Sequence, residues 1–117
     1  MTVADVPKTY FEWHRKWLGA HKTPCWSYVE DGWVPLLDRL AAELVALGWD
    51  RDLHQCKEKF GGLRFYVGAN TAEMAAAIER AEQESLNTCA KCGMPGMLMG
   101  KSCVRTLCQE CGINDRR

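Results

Sequence analysis

The chain has 117 residues with 15 basic and 15 acidic side chains, so its formal net charge is zero. This length predicts one domain with a modest core, and the neutral charge disfavours attraction of the whole molecule to nucleic acid. No apolar run approaches the ~18 residues of a membrane span, and no secretory signal is visible at the N-terminus. We therefore expect a cytoplasmic protein with no membrane partner.

The first predicted helix lies within residues 8–22, with Thr9 as its capping residue and Gly19 as its end. Its aromatic stripe recurs at helical spacing and consists of Tyr10, Trp13, Trp17 and Leu18. Such a stripe normally packs into a core, which is the expectation here. An exposed aromatic surface for a partner is the alternative.

A leucine-rich helix is predicted over residues 34–48, after a loop at residues 23–33. Pro35 suits its first turn, and Gly48 ends it. Its predicted buried stripe consists of Leu36, Leu37, Leu40, Leu44 and Leu47. This is the clearest helix of the chain, because the stripe follows the helical period throughout.

Residues 53–68 predict a β-hairpin with Gly61 and Gly62 as its two turn residues. The face expected on the core consists of Cys56, Phe60, Leu63, Phe65 and Val67, interrupted by Glu58. The opposite face, which we call the basic face, consists of Lys57, Lys59, Arg64 and Tyr66. This register sets Lys59 directly against Arg64, although like charges opposite each other destabilise a β pair.

The basic face has three interpretations. Lysines commonly protect a sheet from edge aggregation, so the face could be a solvated surface. It could instead bind phosphate groups or a carboxylate-rich protein, and we predict it as the partner-binding site. In the third interpretation, the acidic helix that follows covers it within the same chain.

That acidic helix is predicted over residues 70–86, because Asn70 and Glu73 have the spacing of a capping box. Its narrow apolar face consists of Met74, Ala77, Ile78 and Ala81. Residues 71–85 carry four glutamates against one arginine, whereas the C-terminal end of the chain is basic.

Two CxxC pairs, separated by 15 residues, are formed by Cys89, Cys92, Cys108 and Cys111. This spacing is typical of a zinc ribbon, in which two knuckles hold one structural zinc ion per chain. Gly93 and Gly112 follow the pairs and permit the tight backbone of a knuckle. A shell of four thiolates leaves no open position for water or substrate. An iron–sulfur cluster and a dithiol redox pair are the alternatives.

Three further cysteines, Cys25, Cys56 and Cys103, fit neither pair and are predicted to be buried thiols. An odd total of seven cysteines favours a reducing compartment with a metal site over a secreted disulfide framework. A methionine-rich loop between the pairs contains Met94, Met97, Leu98 and Met99. We expect it to pack against the rest of the chain, with a flexible apolar contact for a partner as the alternative.

These elements together predict an α+β fold. Residues 1–87 are expected to form a small helical domain with a β-hairpin of two to three antiparallel strands. Residues 88–117 are expected to form a zinc-ribbon module packed on that domain.

Six stretches occur in a distinctive order: EDGW, the leucine-rich helix, KEKFGGLRFYV, the Glu-rich helix, CAKCGMPG and RTLCQEC. In this order they resemble a group of small, largely uncharacterised zinc-ribbon proteins of phages, prophages and bacterial genomes. The resemblance covers about residues 26–111. It departs at Cys103, where that group has an aromatic residue, and at Cys111, where it often has a histidine ligand. It implies a mobile-element origin and a host cytoplasm rather than an activity.

A non-catalytic binding protein is the expected function. The chain has no phosphate loop, GxSxG, HExxH or paired His/Asp motif. We expect the partner to be a host protein or nucleoprotein complex, with inhibition of a host defence, in the manner of an anti-CRISPR protein, as one version. Either the acidic helix or the basic face could supply the contact.

There are two alternative functions. The first is a zinc-ribbon protein that binds nucleic acid through the basic face. The second is a small nuclease-like enzyme, for which Asp50, Asp52 and His54 form the candidate cluster.

Overall fold

The computed structural model describes residues 6–19 and 27–114. Its helices are α1 (Tyr10–Leu18), α2 (Val34–Ala46), α3 (Ala72–Ser85) and α4 (Gln109–Asn114), and its strands are β1 (Leu53–Lys59), β2 (Gly62–Val67), β3 (Met97–Met99) and β4 (Arg105–Leu107). The strands form two antiparallel hairpins, β1–β2 and β3–β4, so the predicted α+β class is confirmed. None of the helices in the described ranges combines the length and apolar character that crossing a membrane demands.

Helix α1 begins with a reciprocal cap between Thr9 and Glu12. The Glu12 N–H donates to the Thr9 hydroxyl at 3.1 Å, and the Thr9 N–H donates to the Glu12 carboxylate at 3.3 Å. The aromatic stripe lies in the core as expected, with Tyr10 and Trp13 almost fully buried and Trp17 half-buried. The helix ends at Leu18 with Gly19 as its C-cap, which confirms Gly19 as the predicted end, and residues 20–26 lie outside the described ranges.

The core lies between α1, α2, α3 and the apolar face of the β1–β2 hairpin. Phe65 of β2 is at its centre, with its ring centroid 6.2 Å from Trp13 and 6.0 Å from Trp49. The predicted leucine stripe of α2 is buried except at Leu47, which is 39% exposed. Leu47 falls outside the core because α2 ends at Ala46 and the chain turns there.

The predicted hairpin turn is wrong by one residue, and the predicted register is therefore wrong as well. Phe60 and Gly61 form the turn, with φ values of 54° and 83°, as a type I′ turn requires. Lys59 consequently pairs with Gly62, and Lys57, not Lys59, pairs with Arg64. The change moves the partner of each β1 residue by two positions along β2. Because every second residue of a strand points to the same face, each face keeps its residues. The exception is Phe60, which leaves the core face and is 76% exposed.

Both edges of the β1–β2 hairpin are covered. On the β2 side, the Leu63 N–H donates to the Ser85 hydroxyl at 2.9 Å, and the Phe65 N–H donates to the Glu82 carboxylate at 3.1 Å. On the β1 side, the Tyr28 N–H donates to the Cys56 carbonyl at 2.8 Å, and the Tyr28 backbone pairs in parallel with Lys57. Unpaired strand edges invite additional strands, and these contacts occupy them.

Helix α3 is capped by Thr71, whose hydroxyl accepts from the Met74 N–H at 3.2 Å. The predicted cap at Asn70 is therefore wrong by one residue. The small apolar face of α3 is buried, because the helix packs closely against α2 and β2.

Candidate metal centre and basic face

The four cysteines of the two CxxC pairs come together in space. Their Sγ atoms, from Cys89, Cys92, Cys108 and Cys111, all lie within 4.8 Å of one another. The Cys92 and Cys108 sulfurs are 3.6 Å apart, far beyond the ~2.05 Å of a disulfide bond. A tetrahedral ion with metal–sulfur bonds of ~2.3 Å places its ligands about 3.8 Å apart. The cluster therefore has the dimensions of a site for one metal ion.

The first pair lies on a tight knuckle. The Gly93 N–H donates to the Cys89 carbonyl at 2.9 Å, and the Cys89 N–H donates to the Met94 carbonyl at 2.7 Å. Gly93 has a φ of 82°, so the expectation that this glycine permits the turn is confirmed. Cys89 is buried and Cys92 is exposed, so the centre has one side in the protein and one toward solvent.

The second pair is closed by a bond equivalent to that of the first, from the Gly112 N–H to the Cys108 carbonyl at 2.8 Å, but its turn belongs to a helix rather than a loop. Cys108 directly follows β4, and Cys111 lies within α4. The Cys111 N–H points at the Cys108 sulfur, 3.4 Å away. Gly112 does not have a positive φ; a β-carbon there would instead collide with the side chain of Met99. Its role is close packing against β3 rather than an unusual backbone conformation.

The surroundings shift the pKa values of two of these cysteines in opposite directions. Burial by itself raises the pKa of Cys89, but backbone N–H groups of Cys108, Cys92 and Lys91 outweigh burial and lower that pKa to about 6. Hydrogen bonding with the Cys108 sulfur raises the pKa of Cys111 to about 12. Thiolates this close disfavour one another's ionisation, and a cation between them removes that obstacle.

The EDGW stretch docks directly on the first knuckle. The Gly32 N–H donates to the Ala90 carbonyl at 2.9 Å, and the Trp33 indole donates to the Thr88 carbonyl at 2.8 Å. A β-carbon on Gly32 would lie 2.6 Å from the carbonyl carbon of Ala90, so only glycine fits. Glu30 completes the contact through an ion pair with the buried Arg105 of β4.

The KEKFGGLRFYV stretch docks on the β3–β4 hairpin through its turn. The buried Thr106 hydroxyl donates to the Gly61 carbonyl at 2.7 Å. A β-carbon on Gly61 would lie 2.5 Å from the Leu98 side chain. Gly61 thus allows the close approach of the C-terminal module as well as the turn.

The basic face is intact in the structure despite the changed register. Lys57 and Arg64 are directly paired and half-buried, and Lys59 and Tyr66 are exposed. Within the described ranges, none of its three cations forms an ion pair with a carboxylate. The side chain of Lys59 lies over the Phe60 ring, 5.6 Å from its centroid.

The acidic helix does not neutralise the basic face through ion pairs in the described residues. Glu82 of α3 accepts from the Phe65 backbone, and Glu84 pairs with Arg39 of α2. The helix lies along the edge of β2, where these contacts hold it. The interpretation in which α3 covers the basic face thus finds no support in the observed ion pairs.

Tyr28 is a residue of this surface that sequence reasoning missed. Its backbone pairing with Lys57 extends the basic face by a third chain segment, and its side chain is 49% exposed. Its ring packs against α1, with its centroid 5.8 Å from that of the buried Tyr10 and 6.0 Å from that of the exposed Phe11. The only available signal was an aromatic residue in a segment that the composition assigns to a loop.

The candidate nuclease cluster is only partly assembled. His54 Nε2 lies 3.2 Å from Asp52 Oδ2, but the Asp50 carboxylate accepts from the Asp52 backbone N–H at 3.0 Å. The three side chains are exposed on the surface. In the described parts of the chain, the four cysteines are the one group of three or more side chains arranged to hold a metal ion.

The remaining cysteines and the methionine-rich loop differ in exposure. Cys56 is fully buried as predicted, and burial raises its pKa. Cys103 is exposed, so its predicted burial is wrong; it lies in the turn between β3 and β4, outside any core. Cys25 lies outside the described residues. In the loop, Met94, Met97 and Leu98 are largely exposed, and Leu98 approaches Gly61.

No protein-family model, no curated protein and no solved structure matches this chain.

Proposed function

We propose that this is a non-catalytic binding protein with one structural zinc ion in its four-cysteine centre and a macromolecular partner on its basic face. The resemblance to phage and prophage proteins makes a host macromolecule the expected partner. Interference with a host defence system is one role that such binding could serve.

The observation that carries the proposal is the four-sulfur cluster. Tetrahedral ligation by one zinc ion places the sulfurs about 3.8 Å apart. The four Sγ atoms all lie within 4.8 Å of one another and those of Cys92 and Cys108 are 3.6 Å apart, which supports a single ion, with only a small closure of the cluster needed to bind it. A multi-iron cluster spreads its cysteine ligands over several metal atoms, so it fits this compact arrangement less well. All-thiolate ligation favours zinc among single ions.

A structural role for the ion follows from what surrounds the centre. Four thiolates complete a tetrahedral shell, so the ion has no open position at which to bind water or substrate. The knuckle that holds Cys89 is also the surface on which Gly32 and Trp33 dock. Metal binding thereby supports the contact between the C-terminal module and α2.

The metal part of the proposal is tested by elemental analysis of protein purified without chelator. We expect about one zinc per chain and no comparable iron. Cys108→Ser should lose the zinc, whereas Cys103→Ser, a matched control at an exposed cysteine outside the cluster, should keep it. A wild-type protein that is folded and metal-free would contradict the proposal.

The partner part is tested by capture from host lysate with wild-type protein and with the double variant Lys57→Glu/Arg64→Glu. We expect the wild type to retain a specific partner and the variant, still folded by circular dichroism, to lose it. Equal capture by both proteins would show that the basic face is not the contact surface. Treatment of half the lysate with nuclease separates nucleic-acid-dependent from direct protein contacts.

A further inference from the structure

We propose that the basic face binds single-stranded nucleic acid. This inference rests on the proposed function, because it names the class of partner for the same surface. It is carried by the juxtaposition of three cations and two half-exposed tyrosines on one side of a small sheet.

The cations form a compact group. Lys57 and Arg64 are directly opposite each other in the antiparallel pair, and Lys59 lies two residues along β1 on the same face. Like charges in such a pair repel, and none of the three cations forms an ion pair with a carboxylate of the described ranges. A chain of phosphates would remove this repulsion while gaining charge-assisted hydrogen bonds.

Aromatic rings flank the cations. Tyr28 pairs through its backbone with Lys57 on one side, with its ring beside those of Tyr10 and Phe11, and Tyr66 follows Arg64 by two residues on the other. Their side chains are 49% and 48% exposed, which leaves each ring accessible. Alternating positive and aromatic side chains are the usual means by which proteins bind unpaired strands, since phosphates contact the charges and bases stack on the rings.

The shape of the face favours a single strand over other polyanions. The three chain segments lie ~4.8 Å apart, so the platform is about 10 Å wide. Bases in a duplex are stacked on one another and are not free to stack on surface tyrosines. An acidic protein strand could add to a sheet edge, but side chains and backbone of this chain already occupy both edges at Leu63, Phe65 and Cys56.

The primary test measures fluorescence anisotropy of a labelled 15-nucleotide oligothymidylate with zinc-loaded, full-length protein. Three phosphate contacts on a single strand predict a slope of about −2 in log K against log salt. Affinity should therefore fall about 20-fold between 50 and 200 mM salt. Oligoadenylate should bind comparably, because stacking on tyrosine tolerates every base.

Variants separate the two kinds of contact. Lys57→Glu/Arg64→Glu should weaken binding at least tenfold and flatten the salt slope. Tyr66→Ala should weaken binding at least about fivefold and leave the slope unchanged. The control Arg39→Glu/Arg80→Glu makes the same net charge change on α2 and α3, where both arginines are ion-paired, and should bind nearly as well as the wild type.

Several results would overturn the inference. These are no binding of the wild type at 50 mM salt, equal binding of duplex, equal binding of polyglutamate, or equal loss in the control variant. If the Lys57→Glu/Arg64→Glu variant does not fold, the double variant Lys59→Ala/Tyr66→Ala replaces it. Its affinity for the oligonucleotide and the salt dependence of wild-type binding then decide the question. Capture of a protein through the basic face without oligonucleotide binding would refute this inference and leave the proposed function standing.

Discussion

The two ends of the molecule are stabilised in different ways. The helices and the β1–β2 hairpin share a core of large apolar side chains, with Trp13, Trp33 and Phe65 almost fully buried. The C-terminal module buries few apolar side chains, among them Ala90 and Leu107, and depends on backbone hydrogen bonds and the cysteine cluster. Burial of apolar surface stabilises the first region, whereas we expect the second to depend on a bound metal ion for its fold.

The contact between these regions is polar and geometrically strict rather than broad and apolar. Gly32 and Gly61 allow the backbones to approach, and Glu30 and Trp33 bond to groups of the module. The stretches that are most distinctive in the sequence are therefore the ones that dock on the module.

Metal removal should have the largest effect. A strong chelator, or acidification that protonates the thiolates, should unfold residues 88–114 while the aromatic core stays folded. Amide hydrogen exchange read peptide by peptide should show protection lost in the module and retained in α1 and α2. Simultaneous loss in both regions would mean that they form one cooperative unit.

Gly32→Ala should have the next largest effect. The new methyl group would collide with the Cys89 and Ala90 backbones, and overpacking against backbone predicts a loss of about 3 kcal/mol in unfolding free energy. Asp31→Ala changes the neighbouring exposed residue and serves as the control, with an expected loss under about 0.5 kcal/mol. Urea denaturation of zinc-loaded protein measures both, and equal stabilities would disprove the docking role of Gly32.

Glu30→Ala should have an intermediate effect. It removes the carboxylate that pairs with the buried guanidinium of Arg105, and a hydrogen bond to a charged group contributes about 1.5–3 kcal/mol. We expect a loss of about 2 kcal/mol in the same urea experiment. Glu43→Ala, which breaks the exposed pair with Arg80, should cost less than about 1 kcal/mol. A larger loss of unfolding free energy in Glu43→Ala than in Glu30→Ala would show that the Glu30–Arg105 pair is not the more stabilising of the two.

Lys57→Thr should have the smallest effect, and of opposite sign. It removes the like-charge pair with Arg64 and places a β-branched residue in a strand, so stability should rise by about 0.5 kcal/mol. Thermal unfolding at low salt measures the gain, which should shrink as salt screens the repulsion. A destabilised variant would show that Lys57 has an attractive contact on this face.

Much of the local structure could be predicted because it depends on neighbouring residues. The periodic stripes of α1 and α2, the hairpin and the two CxxC pairs all use patterns that span few residues. The errors lie where two local options compete, as at the turn, where Phe60 and Gly61 were chosen over Gly61 and Gly62. Thr71 similarly replaced Asn70 as the cap, since both residue types serve that purpose.

The candidate ligand set could be read from the amino-acid sequence alone, since four cysteines at this spacing have few other uses. The residues of each hairpin face, apart from Phe60, could be read in the same way, since alternate strand residues point to opposite sides. The roles of EDGW and of the glycine turn emerge only from the fold, because their partners lie more than forty residues away in the chain. The fold also brings the Tyr28 backbone beside Lys57. It places Glu82 of α3 against the Phe65 backbone and Glu84 against Arg39 rather than against the basic face. Long-range packing sets such contacts, and no local pattern records them.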